Sequence, residues 1–226
     1  MVMAACYLYV VSIILFSGAL KRAGIISPNS SRKFLHAMIG NLPLVMPYFT
    51  DPIYPFLVAG PFIVVTFLAT PYSPLQGFLD RLGGLGELTE VGHSTGPLMY
   101  AISYTLLAYL YGASPYIVAA GIFPMAYGDS SAALIGMKYG SMKFRVFEEK
   151  SVQGSMGMFM GSLVSLTLGM SYFSGIYGFT LGSQMAPIIA VSMVSTITEA
   201  VCPKGLDNIF VPLLGAFTFI ATGGGV

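Results

Sequence analysis

The stretch that decides the fold is Pro115–Gly140, PYIVAAGIFPMAYGDSSAALIGMKYG. Its apolar part, residues 115–138, is long enough to cross a bilayer, which takes roughly 20 residues of helix. Asp129 is the single carboxylate within it. A small residue recurs at every fourth position, at Gly128, Ala132, Gly136 and Gly140. The stretch therefore predicts a membrane helix with a narrow stripe of small side chains beside one buried acid.

The composition of the whole chain extends this interpretation to all 226 residues. Hydrophobic residues make up 55% and charged residues only 8%, and the mean hydropathy is +0.79. A soluble domain of this length carries far more charge, which excludes the soluble classes. The apolar runs lack the alternating polarity of strands, so we expect helices. The prediction is one integral membrane domain, an all-α polytopic helix bundle covering residues 1–226.

We predict about eight membrane spans, each close to the length that a bilayer requires. The first run is interpreted as a retained span, because no basic region precedes it and Lys21-Arg22 follows it. The predicted spans are 2–20, 34–50, 53–69, 95–111, 115–138, 152–172, 184–201 and 207–222.

The charges predict the orientation of the bundle. If the N-terminus lies outside, all ten basic residues fall in the first, third, fifth and seventh loops, and eight of the nine acids lie on the same side. This asymmetry follows the positive-inside rule and predicts a cytoplasmic active face. We expect a prokaryotic plasma membrane rather than the endoplasmic reticulum, because the chain is compact and shows no transit segment. The basic residues are Lys21, Arg22, Arg32, Lys33, Arg81, Lys138, Lys143, Arg145, Lys150 and Lys204.

Asp129 is the strongest candidate for a functional residue. A stripe of small residues is typical of close helix–helix packing, but packing does not require a carboxylate. Burying a carboxylate at the centre of a span costs about 2.5–3.5 kcal/mol on insertion scales, so such residues are functional candidates by default. Pro124 and Gly128 are expected to break the helix nearby and to expose backbone N–H groups to an anion.

A second candidate is the segment Lys150-Ser151-Val152-Gln153-Gly154-Ser155. A basic loop beside a span is most often a topology signal. A lysine, hydroxyls and free N–H groups at the start of a helix also suit a phosphate group. Because the segment follows the Asp129 helix directly, we favour phosphate binding.

The remaining acids predict a metal site at the same face. Glu199 lies inside an apolar run, whereas Asp207 is equally consistent with a helix N-cap. Asp129, Glu199, Asp207 and Asn208 supply the hard oxygen ligands that Mg²⁺ takes together with substrate phosphates.

Two histidine-containing segments are weaker candidates. Arg32 and Lys33 precede His36, which is expected either to bond a neighbouring helix or to contact a substrate. Glu90 and His93 are three residues apart, a spacing that places both on one helix face. The chain has no P-loop, dinucleotide fingerprint, H-E-x-x-H motif or nucleophile elbow.

Taken together, these segments resemble the dolichol kinase and phytol kinase family of membrane polyprenol kinases. The resemblance covers most of the chain and is closer to the phytol kinase branch. Gln153 stands where that family usually has Glu. The matching pieces, in order, are Arg32-Lys33 with His36, Gly96-Pro97-Leu98 with Tyr100, Gly128-Asp129 to Gly140, Lys150-Ser151 with Gly154-Ser155, and Asp207-Asn208 with Val211-Pro212.

The resemblance implies phosphoryl transfer from CTP, with Mg²⁺, to the terminal hydroxyl of an isoprenoid alcohol dissolved in the bilayer. The expected catalytic residues are Asp129, Lys150 and His36. The expected metal ligands are Asp129, Asp207, Glu199 and Asn208. The expected nucleotide-binding residues are Gly128, Ser130, Gly136, Lys138, Gly140, Lys150, Ser151, Gly154, Ser155, Arg32 and Lys33.

Three alternatives remain open at this point. A CTP-dependent cytidylyltransferase would attack the α-phosphate and release pyrophosphate, but the C-terminal motif of those enzymes is absent. A small transporter would show an inverted repeat and a midplane site, and no repeat is visible. A purely structural membrane protein would leave Asp129 and Glu199 unexplained. No nucleic acid partner is expected, and the oligomeric state stays open, a homodimer being one alternative.

Overall fold

The computed structural model describes residues 1–70, 72, 95–203 and 205–226, without the side chains of residues 28, 29 and 32. About 78% of the structure is helical, which confirms the predicted all-α class. The helices are α1 Val2–Arg22, α2 Pro28–Ile39, α3 Tyr54–Leu68, α4 Gly96–Tyr111, α5 Pro115–Phe123, α6 Asp129–Tyr139, α7 Val152–Tyr177, α8 Leu181–Val201 and α9 Asp207–Ala221. A 3₁₀ helix spans Leu42–Tyr48, a π-helical turn Pro124–Gly128, and two short strands Lys143–Arg145 (β1) and Glu149–Ser151 (β2).

All eight predicted spans correspond to helical segments of the structure. Within its described part, four helices are both long and apolar enough to cross a membrane: Val2–Arg22, Pro115–Tyr139, Val152–Tyr177 and Leu181–Val201. Tyr54–Leu68 and Asp207–Ala221 are apolar but shorter. The chain is therefore a membrane helix bundle, and the total of eight crossings stays a prediction.

The second predicted span, 34–50, is wrong as a single continuous helix. Helix α2 begins earlier, at Pro28, where the Ser27 side chain accepts a hydrogen bond from the N–H of Ser30 at 3.1 Å. It ends at Ile39, and the chain continues as a 3₁₀ helix that contains two prolines. Proline lacks the N–H that an α-helical turn needs, which explains the change of helix type.

Helix α7 packs against the small-residue stripe of α6. A Cβ atom added to Gly128 would lie 2.3 Å from Ser162 Oγ, and one added to Gly161 would lie 3.0 Å from the Tyr127 carbonyl oxygen. These distances are shorter than van der Waals contact, so only glycine permits the two backbones to approach so closely. The packing interpretation of the stripe is therefore confirmed, and it places Asp129 one residue beyond a tight helix interface.

A short hairpin links α6 to α7, in a loop where the sequence indicated no strands. Strand β1 pairs antiparallel with β2, with Phe144 opposite Lys150. The hairpin brings Lys150 and Ser151 directly to the start of α7.

Candidate active site

Two buried ion pairs lie at the centre of the site. Lys33, in the middle of α2, forms an ion pair with Asp129 at the start of α6. Lys150, at the end of the hairpin, pairs with Glu199 near the end of α8, and its Nζ also donates to the Glu199 carbonyl oxygen at 3.1 Å. Asp129 and Glu199 are only 6% and 5% exposed. Each acid is thus neutralised by a lysine from a distant part of the chain.

The helix does not break at Asp129 as the sequence predicted. Residues Pro124–Gly128 form a π-helical turn, and the Asp129 N–H donates to the Pro124 carbonyl oxygen. The N–H groups at this point are therefore not exposed to an anion, which corrects that expectation. The π turn accommodates Pro124 without ending the helix, and such turns are frequent at functional sites.

Asp129 lines a cavity of about 270 Å³ that also contains the Lys150 segment. The cavity brings together Asp129, Gly136, Lys150, Ser151, Gly154, Ser155 and Glu199, seven of the residues that the sequence selected. Lys143 and Glu149 of the hairpin line it as well, so the hairpin adds one positive and one negative side chain to the cavity wall. This shared lining places a carboxylate, a lysine and hydroxyl groups around one space.

Three acidic residues influence the pKa of Lys150. Burial alone would lower the pKa of Lys150, but the carboxylates of Glu199, Asp207 and Asp129 outweigh that effect and raise it above its ordinary value. Lys150 is therefore held in its charged form. The same interactions show that all three predicted acidic ligands lie within electrostatic range of one ammonium group.

Asp207 and Asn208 form the start of α9 beside this cluster. Leu206 occupies the N-cap position, so Asp207 is not the N-cap that the sequence left open. Asp207 Oδ1 accepts hydrogen bonds from the backbone and side-chain N–H groups of Asn208, both at 3.0 Å. Asn208 Oδ1 is buried and has no donor among the described residues.

The metal site stays a prediction, and its donor residues can be compared with what Mg²⁺ requires. In the part of the chain that the structure describes, no three His, Cys, Asp or Glu side chains form a ready metal cage. Mg²⁺ commonly takes only one or two carboxylates, with waters and substrate phosphates completing its shell. Asp129 and Asp207 are near enough to interact electrostatically, and Asn208 contributes an unpaired oxygen, so the donor set fits such an open site.

The start of α7 has fewer free backbone donors than the sequence suggested. The Val152 N–H donates to the Met142 carbonyl oxygen at 2.9 Å, and the Gly154 N–H to Ser151 Oγ at 3.1 Å. The bond from Val152 belongs to the hairpin, and the bond from Gly154 belongs to the N-cap of the helix. Phosphate binding here would depend mainly on side chains, above all on Lys150 and Ser155.

Gln153 joins the hairpin to this helix start. Its amide donates to Ser141 Oγ at 2.7 Å and accepts from the Met142 N–H at 3.2 Å. A carboxylate at this position could accept but could not donate, so the amide fits both of these contacts.

Several predicted residues do not line the cavity. Gly128 packs against α7, and Lys138 is exposed above the Tyr139 ring. The Ser130 hydroxyl donates to the Ala126 carbonyl oxygen at 2.6 Å. Gly140 adjoins Ser151, because an added Cβ would lie 2.7 Å from its Oγ.

Other predictions lie outside the described residues. The Arg32 side chain and the Glu90 and His93 pair belong to this group, so their roles stay predictions.

His36 lies at the boundary between the charged cluster and an apolar part of the bundle. It is buried, its ring stacks on Tyr100 with centroids 4.7 Å apart, and it lies within electrostatic range of Asp129. The sequence selected His36 but did not indicate that Tyr100 is its neighbour. Tyr100 appeared in the sequence only as part of the Gly-Pro-Leu-x-Tyr piece at the start of α4, which pointed to the family and not to this contact.

Known proteins are similar to this chain over most of its length. The chain is 29% identical over 210 residues to a phytol kinase of Synechocystis sp., covering 91% of the chain and 84% of that protein. It is 32% identical over 215 residues to a probable chloroplastic phytol kinase 1 of Glycine max, covering 88% of the chain and 70% of that protein. A chloroplastic farnesol kinase of Arabidopsis thaliana is 28% identical over 208 residues, with 86% and 67% covered. No family model matches the chain, and no solved structure does.

Proposed function

The chain belongs to the phytol kinase family, and on that premise we propose that it phosphorylates the terminal hydroxyl of an isoprenoid alcohol. The relatives are named for phytol and farnesol, two alcohols that share an isoprenoid tail and one terminal hydroxyl. The observation that carries the proposal is the 270 Å³ cavity, in which Asp129 and the Lys150-Ser151 segment face one space. A lysine and a carboxylate around one space are what a triphosphate with a divalent cation requires.

We propose CTP as the phosphoryl donor and the cytoplasmic face as the location of the site. The alcohol oxygen attacks the γ-phosphorus, the bond between that phosphorus and the β–γ bridging oxygen breaks, and CDP leaves. The alcohol proton passes to a base, for which a carboxylate or His36 is the candidate. The asymmetry of the basic residues supports a cytoplasmic site. A prokaryotic plasma membrane is part of the same proposal.

Side chains that line the cavity, together with Lys33 and Asp207 beside it, contribute to phosphoryl transfer in different ways. Lys150, held in its charged form, neutralises charge on the phosphates, and Ser155 donates a hydrogen bond. Lys33 neutralises the Asp129 carboxylate through their ion pair. Asp129 and Asp207 would hold Mg²⁺, and the ion would supply further neutralisation of the triphosphate charge. Positioning and charge neutralisation are the main catalytic terms in this class of reaction.

We test the proposal with Asp129→Asn in purified, detergent-solubilised protein. Removing the carboxylate charge is expected to lower CTP-dependent phosphorylation by about 100-fold or more, the usual loss when one stabilising group of a polar site is removed. The matched control is Asp51→Asn, because Asp51 is exposed and its carboxylate contacts only the Ile53 N–H among the described residues. Near-normal turnover by a folded Asp129→Asn protein would contradict the proposal.

A further inference from the structure

A second cavity lies between α1, α2, α3 and α4 and is almost entirely apolar. Its volume is about 80 Å³, and it has no lining residue in common with the charged cavity. Apolar side chains from all four helices form its wall, including Val10, Ile14, Leu35, Phe62 and Val65. Such a space between membrane helices suits a hydrocarbon group.

Two tyrosines that line this cavity have hydroxyl groups without a hydrogen-bond partner among the described residues. Tyr100 and Tyr104 both line the cavity and are 4% and 5% exposed, and each hydroxyl oxygen is fully buried. A buried hydroxyl without a partner costs about 1–3 kcal/mol. Native structures contain few such groups, and a ligand that supplies the missing partner is one explanation.

His36 connects this cavity to the charged cluster. Its ring lines the apolar cavity, stacks on Tyr100 and lies within electrostatic range of Asp129. A ligand hydroxyl beside His36 and Tyr100 would therefore lie at the end of the cavity that is nearest to the proposed phosphate site.

The opposite side of the cavity lies next to the exposed surface of the bundle. Ile14 of α1 and Phe62 and Val65 of α3 are only half-buried, and their neighbours Leu15 and Val64 are 62% and 59% exposed. The cavity is too small for a complete isoprenoid chain. A tail that leaves it between α1 and α3 would enter the bilayer directly.

We infer that this cavity, the acceptor pocket, binds the hydroxyl end of the isoprenoid alcohol. The inference rests on the proposed function and adds the location of the acceptor. Tyr100 and Tyr104 hydrogen-bond the alcohol oxygen, His36 lies beside it, and the tail extends between α1 and α3. Tyr100 and Tyr104 are thereby substrate-binding residues.

A larger apolar groove of about 660 Å³ is the competing location. Its wall is formed mainly by α6 and α7, with Leu44, Phe123 and Tyr127. Both tyrosine hydroxyls there already have partners, since Tyr127 donates to Asn41 Oδ1 and Tyr172 to the Leu44 carbonyl oxygen at 2.8 Å. This groove therefore lacks the unpaired hydroxyls that favour the acceptor pocket.

The kinetic test compares variants of the two locations. Tyr100→Phe is expected to raise KM for the alcohol about tenfold, the factor for one lost hydrogen bond, with KM for CTP unchanged. Removing an unpaired hydroxyl does not destabilise the fold, so a purely structural role predicts no kinetic change. Val65→Phe fills the acceptor pocket and is expected to abolish binding of the alcohol. Val164→Phe, the same change in the larger groove, is the matched control and is expected to leave KM unchanged.

A binding measurement separates this inference from the proposed function. A farnesol analogue that carries a diazirine group is photolysed with the protein without nucleotide, and the labelled peptides are identified by mass spectrometry. Label on α1, α3 and α4 supports the acceptor pocket, whether or not the protein is active. Label on α6 and α7, or an alcohol KM within twofold of wild type in both Tyr100→Phe and Val65→Phe, overturns it. A wild-type protein that phosphorylates no isoprenoid alcohol overturns the proposed function alone.

Discussion

At the scale of single residues, the most informative feature is that each buried acid of the site has a lysine partner. Lys33 and Asp129 are 96 positions apart, and Lys150 and Glu199 are 49 apart. A buried ion pair is weak support for a stabilising role, because desolvation offsets most of its attraction. Two such pairs around one cavity are better explained by a polar substrate that exchanges partners with them.

The pair of Lys150 and Glu199 gives a prediction that separates binding from stability. Lys150→Met leaves the Glu199 carboxylate buried without a counter-charge, so we expect a loss of about 3–5 kcal/mol in the free energy of unfolding, together with loss of activity. In the double variant Lys150→Met/Glu199→Leu both charges are gone, and stability should recover while activity does not. The measurements are thermal unfolding and kinase turnover. A double variant that regains turnover would show that Lys150 has no role in substrate binding.

At the scale of elements, the hairpin and the start of α7 line one side of the charged cavity, where we propose that phosphate binds. Ser151 is the N-cap of α7, and its Oγ accepts from the Gly154 N–H at 3.1 Å. Thr180 caps α8 in the same way, with its Oγ1 accepting from the Ser183 N–H at 3.3 Å. The two caps are chemically equivalent, but only Ser151 lines the cavity.

We therefore expect Ser151→Ala and Thr180→Ala to have similar effects on stability and different effects on catalysis. Each variant loses one helix cap, which costs about 0.5–2 kcal/mol. Only Ser151→Ala should raise KM for CTP, because its hydroxyl faces the cavity. Steady-state kinetics with varied CTP makes the comparison. Equal KM values in the two variants would show that the Ser151 hydroxyl does not contact the nucleotide.

Sequence patterns predicted the long elements well and the irregular ones poorly. The predicted span 115–138 corresponds to the helical run Pro115–Tyr139, because a long apolar segment in lipid can satisfy its backbone only as a helix. The break expected at Pro124 is instead a π-helical turn, since packing against α7 holds the helix together. The hairpin was not predicted, because three-residue strands are stabilised by their tertiary context rather than by their own pattern.

The sequence predicted which acidic residues belong to the candidate site but not which lysine pairs with each of them. The cost of burying a carboxylate singled out Asp129 and Glu199 from sequence alone. Which lysine contacts which acid depends on helices far apart in the chain, so no local pattern shows it. Tyr100 and Tyr104 were missed as ligand contacts, because an aromatic residue in an apolar helix gives no sign of an unpaired hydroxyl.

At the scale of the whole molecule, the bundle contains a charged cavity and an apolar cavity, and His36 lies between the residues of the two. The charged cavity suits a triphosphate, the apolar cavity suits an alcohol dissolved in lipid, and His36 interacts with both groups of residues. If both proposals hold, this arrangement keeps the water-soluble donor and the lipid-soluble acceptor in separate spaces before the reaction. The proposal also requires that the charged cavity open to the cytoplasmic face, from which the nucleotide would arrive.

The orientation of the bundle can be tested with single cysteines. Phe147 at the hairpin tip is 60% exposed, and Ala113 is exposed in the loop between α4 and α5. We expect a membrane-impermeant maleimide to label Ala113→Cys in intact cells, and Phe147→Cys only in inverted vesicles. Cys6 and Cys202 are buried, so background labelling should be low. Labelling of Phe147→Cys in intact cells would place the active face outside.

The fate of the phosphate groups of CTP is the most direct measurement of the central claim. Purified protein is given Mg²⁺, phytol or farnesol, and CTP labelled at either its α- or its γ-phosphorus. We expect the γ-label in an isoprenyl phosphate and the α-label in released CDP. Transfer of the α-label to the lipid would identify a cytidylyltransferase, and no label in lipid under any condition would contradict a CTP-dependent alcohol kinase.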